Sequence, residues 1–554
     1  MQHAVRYGTI ALVLLFFWPG FGWAARTAPA KTGFLVIAQD RGFLGNQEVQ
    51  AVFEEFKNSS PAPVALALVG RNYNGVGSEY SAYLSRALAE LQQAGAARVI
   101  GIPLFLSAAD PVLAKVLAHL PAYPGGGAIQ WEAPMSASYL IAQILLDRVE
   151  PLSQEPEQER VLLLSVGAMD ETSAKAMQAE GEKLLAYLTQ RKPFKETRAL
   201  IYYDRDAQGA EEKNKAVDRV IVETAAKKGR TLLVPAFIGP KFDNHMALVT
   251  WIGQKFKDLD LVYVPQELLP HPNVLLWLKK TANRHVAAAP HDIGVVIMPH
   301  GATQPYNDAV EQTIAPLKAK YKIEMAYGMG DPGVIQQAVS RLEQQGVRRI
   351  VFVRMYALAD QLKDVTDYIL GLSDSPPGHG HDHDAIPPAQ VRSAAVFSTF
   401  GGYEENPAIA EILHERIVEL SKDPPRETVI LVAHGAKSDA ADAQWHAVMN
   451  GHIERLRKDP HCAKLRAIHA ATVREDWPEQ REKAVAQLKE LIAQSNHSGQ
   501  VLLVSNRLYG AGPYKKLLEG ATYVMNEKGF APHPALTRWL ERGIEQAITA
   551  MTAV

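Results

Sequence analysis

Four apolar runs of strand length recur along the chain: "TGFLVIAQDRG" from Thr32, "RVLLLSVGAMD" from Arg160, "IGVVIMPHGAT" from Ile293 and "TVILVAHGAKS" from Thr428. Each leads into a polar loop and then a helical pattern. Continuous apolar runs of this length suit parallel strands buried on both faces. A second pattern recurs inside the repeats. "ALAELQQAGAARVIGIPLFL", "IVETAAKKGRTLLVPAFI" and "AVSRLEQQGVRRIVFVRMYAL" end at Leu106, Ile238 and Leu358. In each, an amphipathic helix stops at a glycine, a basic residue follows, and a strand begins. Glycine suits a helix C-terminus because it takes positive φ without a Cβ clash. The fourth repeat has a looser version, "AVAQLKELIAQSNHSGQVLLVSNRL". The repeats also close alike. "PHPNVLLWLKKTA" (from Pro270), "ENPAIAEILHERI" (from Glu405) and "PHPALTRWLERGI" (from Pro532) set proline just ahead of an amphipathic helix. Its missing N–H costs nothing there.

This alternation predicts four tandem α/β units of roughly 120 to 130 residues, with parallel sheets and helices on both faces. The expected boundaries are 32–150, 158–284, 292–422 and 427–554, joined by short polar linkers such as "SQEPEQE" and "SKDPPRE". Right-handed crossovers are expected in each. The second-pattern strand of the third unit leads into an expected helix over Gln361–Leu372, and a further strand is expected over Val391–Phe397.

Composition changes the picture in three ways. The chain has 554 residues, is 47% hydrophobic and 21% charged, and carries a formal net charge of −2. That is an ordinary globular balance with no global basic surface for nucleic acid. Its single cysteine, Cys462, permits neither an internal disulfide nor a CxxC metal pattern. The N-terminus, "MQHAVRYGTIALVLLFFWPGFGWAARTAPA", places Arg6 before an apolar stretch from about Thr9 to Trp18, then Pro19, Gly20 and small residues. That is the layout of a secretory signal peptide over 1–25, with an uncleaved anchor as the alternative. The apolar stretch is short for a full membrane span, which needs about 20 residues. An exported, periplasmic protein is expected.

In a parallel sheet of this kind, ligands bind outside the carboxyl ends of the strands. His300 and His434 each fall at the end of a unit's first strand. A neutral imidazole there can hold a divalent metal or accept a proton near neutral pH. "GHGHDHDAI" adds His379, His381 and His383 in a glycine-containing loop, a compositional metal-binding signal or else a solvated loop. Gly510 and Gly512 do not form a dinucleotide fingerprint, and neither a P-loop nor a G-x-S-x-G elbow occurs. His446, His452, His461 and His469 read as surface or packing residues.

"VAHGAKSD" and "MPHGATQP" resemble the opening of the class II tetrapyrrole chelatases, the cobalt and iron chelatases of the sirohydrochlorin type. The "PLFL" stretch at Pro103, "GMGDPGVIQQAVSRLEQQGVRRI" and "NPAIAEIL" are similar to them too. The likeness recurs once per unit over nearly the whole chain after the leader. It implies flavodoxin-like, chelatase-like units paired as two bilobal modules, with a tetrapyrrole cleft between facing units. It assigns His300 and His434 the family's first histidine, which binds metal and takes pyrrole protons.

The family's second histidine is not kept. Asp360 or Gln361 falls near its place in the third unit and Tyr514 in the fourth, as expected substrate-binding residues. The second unit has Asp243 and His245 nearby but Val166 in place of the first histidine, and the first unit has Gln39. A helper acid is expected from Glu475 or Asp331, either of which could equally be a helix cap or a surface carboxylate. The first two units then serve as structure or as an opposite wall. The resemblance implies insertion of Co2+, or of Ni2+ or Fe2+, into sirohydrochlorin without ATP or a resident cofactor, in cobalamin or tetrapyrrole biosynthesis. The incomplete histidine pair leaves a noncatalytic periplasmic metal or tetrapyrrole carrier open.

Overall fold

A computed structural model describes residues 31–240, 246–378 and 386–552. The expected signal peptide, the His379–His383 tract, Asp243 and His245 lie outside the described residues. The protein is α/β, with one parallel sheet in each of the four stretches. The sheet orders are Val64–Val69, Thr32–Gln39, Arg98–Leu104, Gln130–Trp131; then Glu196–Tyr203, Arg160–Ala168, Thr231–Pro235, Val262–Tyr263. The third runs Lys322–Met325, Ile293–Pro299, Arg349–Met355, Val396–Gly401, and the fourth Ala467–Thr472, Glu427–Ala433, Gln500–Ser505. Each of the four opening apolar runs is therefore an inner strand, paired on both edges. Val429–Ala433 has no solvent-exposed side chain, as burial on both faces requires.

The expected helix stops are present. Gly95 and Gly346 have φ of +76° and +81°. The amides of Ala96 and Val347 reach back to the carbonyls of Leu91 and Leu342, satisfying the helix ends. Pro272 and Pro534 open the helices Pro272–Asn283 and Pro534–Thr552.

The units pair through exchanged closing helices. Ala408–Leu420, which closes the third unit, packs on Asp439–Leu456 and Gln500–Ser505 of the fourth. Pro534–Thr552, which closes the fourth, packs on Arg349–Met355, Val396–Gly401 and Gln304–Ile314 of the third. One apolar core runs through both, from Val295 and Val353 to Leu431, Leu540 and Met551. The first pair repeats the arrangement: Tyr139–Val149 packs on Glu171–Thr189, and Pro272–Asn283 on Gly42–Ser59. The protein is thus two bilobal modules. The first two units face each other and do not supply an opposite wall for the histidine-bearing units.

In the third unit the helix is Lys363–Ile369 and the last strand begins at Val396, not Val391. The intervening chain is drawn onto the first module instead of joining the sheet. Tyr139 and Gln143 donate to the carbonyls of Val391 and Gln390 at 2.9 and 2.8 Å. Arg392 forks onto Asp147 at 2.6 Å through both nitrogens. Lys280 donates to the Ala395 carbonyl at 3.1 Å and lies 4.4 Å from the centre of the Phe397 ring.

Although the Lys280 side chain is partly exposed along its length, its ammonium end is enclosed at this junction, and desolvation pulls it down to about 7. The unfolded chain keeps the ordinary lysine value, so it binds the extra proton between the two values. Stability therefore rises with pH across about 7 to 10.5. Lys280→Met is expected to flatten that rise in the thermal midpoint; an unchanged slope would remove Lys280 as its source.

Candidate functional site

His434 follows the strand Glu427–Ala433 directly. The chain turns at once through Gly435, whose φ is +81°. A Cβ there would lie 2.6 Å from Asp442 Oδ1 and 2.8 Å from Thr472 Cβ, so only glycine lets the loop pass. Asp442 then pins the turn, accepting from the Ala436 amide at 3.0 Å and the Thr472 hydroxyl at 2.9 Å. Ser438 caps the helix Asp439–Leu456 by accepting from the Ala441 amide.

The imidazole is oriented on every side. Its Nδ1 lies 2.9 Å from the Gly435 carbonyl, and a carbonyl can only accept, so Nδ1 carries the proton. The ring stacks on Trp445 at 6.2 Å and meets the edge of Trp477 at 5.8 Å. That leaves Nε2 as the outward atom, 3.1 Å from Asp476 Oδ2. In neutral histidine this nitrogen is a lone pair facing a carboxylate. Two acceptor atoms this close repel unless a proton or a cation lies between them.

The loop after Ala467–Thr472 builds the other half. Arg474, at φ +49°, donates to the Ala436 carbonyl at 2.7 Å and pairs with Asp439 at 2.6 Å. It also donates to the Lys437 carbonyl. This clamp fixes the His434 loop against Asp476 and Trp477. Glu475, the acid expected as helper, turns the other way and pairs with Arg507. Asp331 caps the helix Pro332–Gln344, accepting from the Val334 amide at 2.9 Å. The residue beside the histidine is therefore Asp476, one position along.

His300 repeats the same device with less around it. Its Nδ1 lies 2.7 Å from the Gly301 carbonyl, and Gly301 has φ +76°. The ring is exposed, and among the described residues no carboxylate pairs with it. Tyr306 lies against its backbone, and burial pushes that phenol up to about 12. The Tyr306 ring meets Tyr509 of the fourth unit edge-on at 6.2 Å. Tyr327, Tyr356 and Tyr403 are close enough for their titration to feel Tyr306. A run of aromatic rings thus crosses from the third unit to the fourth.

Beneath these rings lies a polar cluster that sequence reasoning missed. Glu404 is fully buried, and desolvation holds its carboxyl well above the carboxylate range. Asn506 donates to it at 2.5 Å. The neighbouring Arg507 pairs with Glu475, whose amide donates to the His434 carbonyl at 3.3 Å. Tyr306, set against the His300 backbone, also feels the Arg507 charge, so Arg507 and Glu475 link the two histidine loops.

One expected binding residue is corrected. Tyr514 has no solvent exposure and donates its hydroxyl to the Val432 carbonyl at 2.9 Å, so it does not line the crevice. Gln361 spends its side-chain oxygen on the Leu358 amide at 2.9 Å and shapes its own loop. Asp360 is exposed on that loop, at the carboxyl end of the sheet.

The first module closes its equivalent cleft. Gln39 accepts from Arg41 at 3.4 Å, and Arg41 reaches across to the Gly239 carbonyl at 3.1 Å. Arg71 pairs with Asp204 and Asp206 at 3.3 and 3.6 Å. A cavity of about 130 Å³ remains beside Gln39, Ser107 and Ser165. That is well below the roughly 300 Å³ at which ligand pockets begin.

No protein-family model matches the chain, and no curated protein sequence matches it. Solved structures do. The chain is similar to SirB from Bacillus subtilis with Fe3+, at 15% identity, covering 45% of this chain and 92% of that one with a TM-score of 0.33. It is similar to the sirohydrochlorin chelatase SirB from Bacillus subtilis subspecies spizizenii in complex with cobalt, at 16% identity over 46% and 97% of the two chains, TM-score 0.33. A multi-domain Deinococcus radiodurans protein with structural similarity to chelatases matches at 15% identity over 47% and 55%, TM-score 0.32.

Proposed function

We propose that this protein inserts a divalent metal, Co2+ or else Ni2+ or Fe2+, into a sirohydrochlorin-type tetrapyrrole without ATP. The observation that carries the proposal is the His434–Asp476 pair, with Nε2 and a carboxylate oxygen 3.1 Å apart and the other ring nitrogen tied to Gly435. It offers one nitrogen and one oxygen to a metal ion, which is here the substrate. Insertion exchanges that ion for two pyrrole N–H protons. His434 and Asp476 hold the metal and accept a proton as it leaves; His300 Nε2, with its tautomer fixed the same way, is the second acceptor. The exposed Tyr509 ring and the half-buried Tyr306 and Tyr327 rings between the two units give a flat macrocycle an apolar wall. The first module serves as structure.

Export to the periplasm is part of the proposal, on the layout of residues 1–25. Among the described residues no helix is long and apolar enough to cross a membrane. The His379–His383 tract would gather metal for the protein. One observation favours a second reading, a carrier that binds metal or tetrapyrrole without joining them: among the described residues, only one of the four strand ends carries a histidine–carboxylate pair.

An anaerobic assay separates the two. Protein, sirohydrochlorin and Co2+, Ni2+ or Fe2+ are mixed, and the metallated spectrum is followed. Insertion faster than the spontaneous rate, lost in His300→Ala/His434→Ala, is expected. Binding of metal or tetrapyrrole with no acceleration would leave the carrier.

A further inference from the structure

A second constellation of metal-ligating atoms lies away from the cleft. His414, Asp459 and Cys462 each offer one ligand atom, and the three lie within 4.8 Å of one another. His414 belongs to the helix Ala408–Leu420 that closes the third unit. Asp459 and Cys462 belong to the fourth, in the turn after the helix Asp439–Leu456. This turn sits at the start of the strand whose far end carries His434, since the Arg466 amide donates to the Glu427 carbonyl. The strand's seven residues put it on the order of 20 Å from that histidine.

The geometry is organised before any ion arrives. Asp459 Oδ1 accepts from the amides of His461 and Cys462 at 2.8 and 3.1 Å, which fixes the carboxylate and leaves Oδ2 for another partner. His414 Nε2 lies 3.2 Å from the same Oδ1. Cys462 has no solvent exposure, while His414 and Asp459 are each about one-third exposed, so the cluster has a sulfur floor and an open polar mouth. Ligand atoms around a tetrahedral ion with bonds of 2.0–2.3 Å stand roughly 3.3–3.8 Å apart. Side-chain rotation of about 1 Å closes the cluster to that spacing.

We infer that His414, Asp459 and Cys462 form a binding site for a borderline divalent cation of the Zn2+ type, clamping the third unit to the fourth. One nitrogen, one carboxylate oxygen and one thiolate sulfur suit such an ion better than Mg2+ or Ca2+. Water takes the fourth position. As the metal–sulfur bond forms, the thiol proton leaves to solvent. The site is independent of the insertion chemistry proposed for His434.

The single cysteine makes the test specific. In reduced, chelator-stripped full-length protein, Co2+ bound at this site gives a thiolate-to-cobalt charge-transfer band in the near ultraviolet. Cys462 is the only thiol in the chain, so neither the cleft nor the histidine tract can supply the thiolate that produces it. A saturable band at one Co2+ per chain, displaced by one equivalent of Zn2+, is expected. It should survive His434→Ala, vanish in Cys462→Ala, and require at least about a hundredfold more Co2+ in His414→Ala. His414 is partly exposed, so its variant keeps the fold and the test stands even if Cys462→Ala unfolds. No band in the wild type, or an unchanged titration in His414→Ala, overturns the inference.

Discussion

His434→Ala is expected to lower the metallation rate by a factor of about a hundred or more while the protein stays folded. The ring is half-buried and packs on Trp445 at the edge of the core, so its removal leaves a space open to solvent and not a sealed cavity. What it takes away is the one nitrogen aimed at Asp476. Three separate elements aim it: the Gly435 carbonyl sets the tautomer, Trp445 and Trp477 set the ring plane, and Arg474 holds the facing loop. Asp476→Asn keeps the shape but removes the charge that balances a divalent ion, so it should weaken metal retention in the same direction. His300→Ala should slow insertion while leaving Co2+ binding at His434 in place. Initial rates and equilibrium Co2+ binding, measured on the three variants, separate holding from proton acceptance. Wild-type rates in His434→Ala would end the assignment.

Both histidines were legible because a strand buried on both faces leaves little freedom at its end. An apolar run that stops at His-Gly puts an imidazole at the carboxyl edge of the sheet, and Gly301 and Gly435 both have the positive φ that the following turn needs. The acid beside His434 was missed by one residue. Glu475 and Asp476 are chemically alike, and the choice between them is made by the left-handed backbone of Arg474, which no residue type announces. Tyr514 was misplaced for a related reason: its position after the "LYGAG" loop suggests the crevice, but its hydroxyl finds the Val432 carbonyl inside.

Amphipathic periodicity marked the closing helices without saying which sheet they cover. It reports that one face is apolar, not whose core that face enters. The late start of the strand at Val396 has the same origin. Residues before it are extended, as their sequence suggests, but side chains of the first module take their carbonyls before the sheet can.

The exchanged helices make a strong claim about cooperativity. Trp539 lies in the fourth unit's last helix, yet its ring sits edge-on against Phe400 and Tyr403 of the third unit, at 5.6 and 6.3 Å. Trp539→Ala removes a nearly buried indole from that shared core and is expected to cost about 3–5 kcal/mol. The loss should not stay where the mutation is. Strands Arg349–Met355 and Val396–Gly401 of the third unit are covered by this helix, so their amides should lose protection from hydrogen exchange together with those of Glu427–Ala433. The first module has its own core and should keep its protection. If exchange accelerates only within 427–552, each unit stands on its own core, and the exchanged helices are packing without cooperativity. Acceleration across both units, with the first module unchanged, makes the pair of units the folding entity. The strands that end at His300 and His434 then belong to one folding body, because both insert into that shared core.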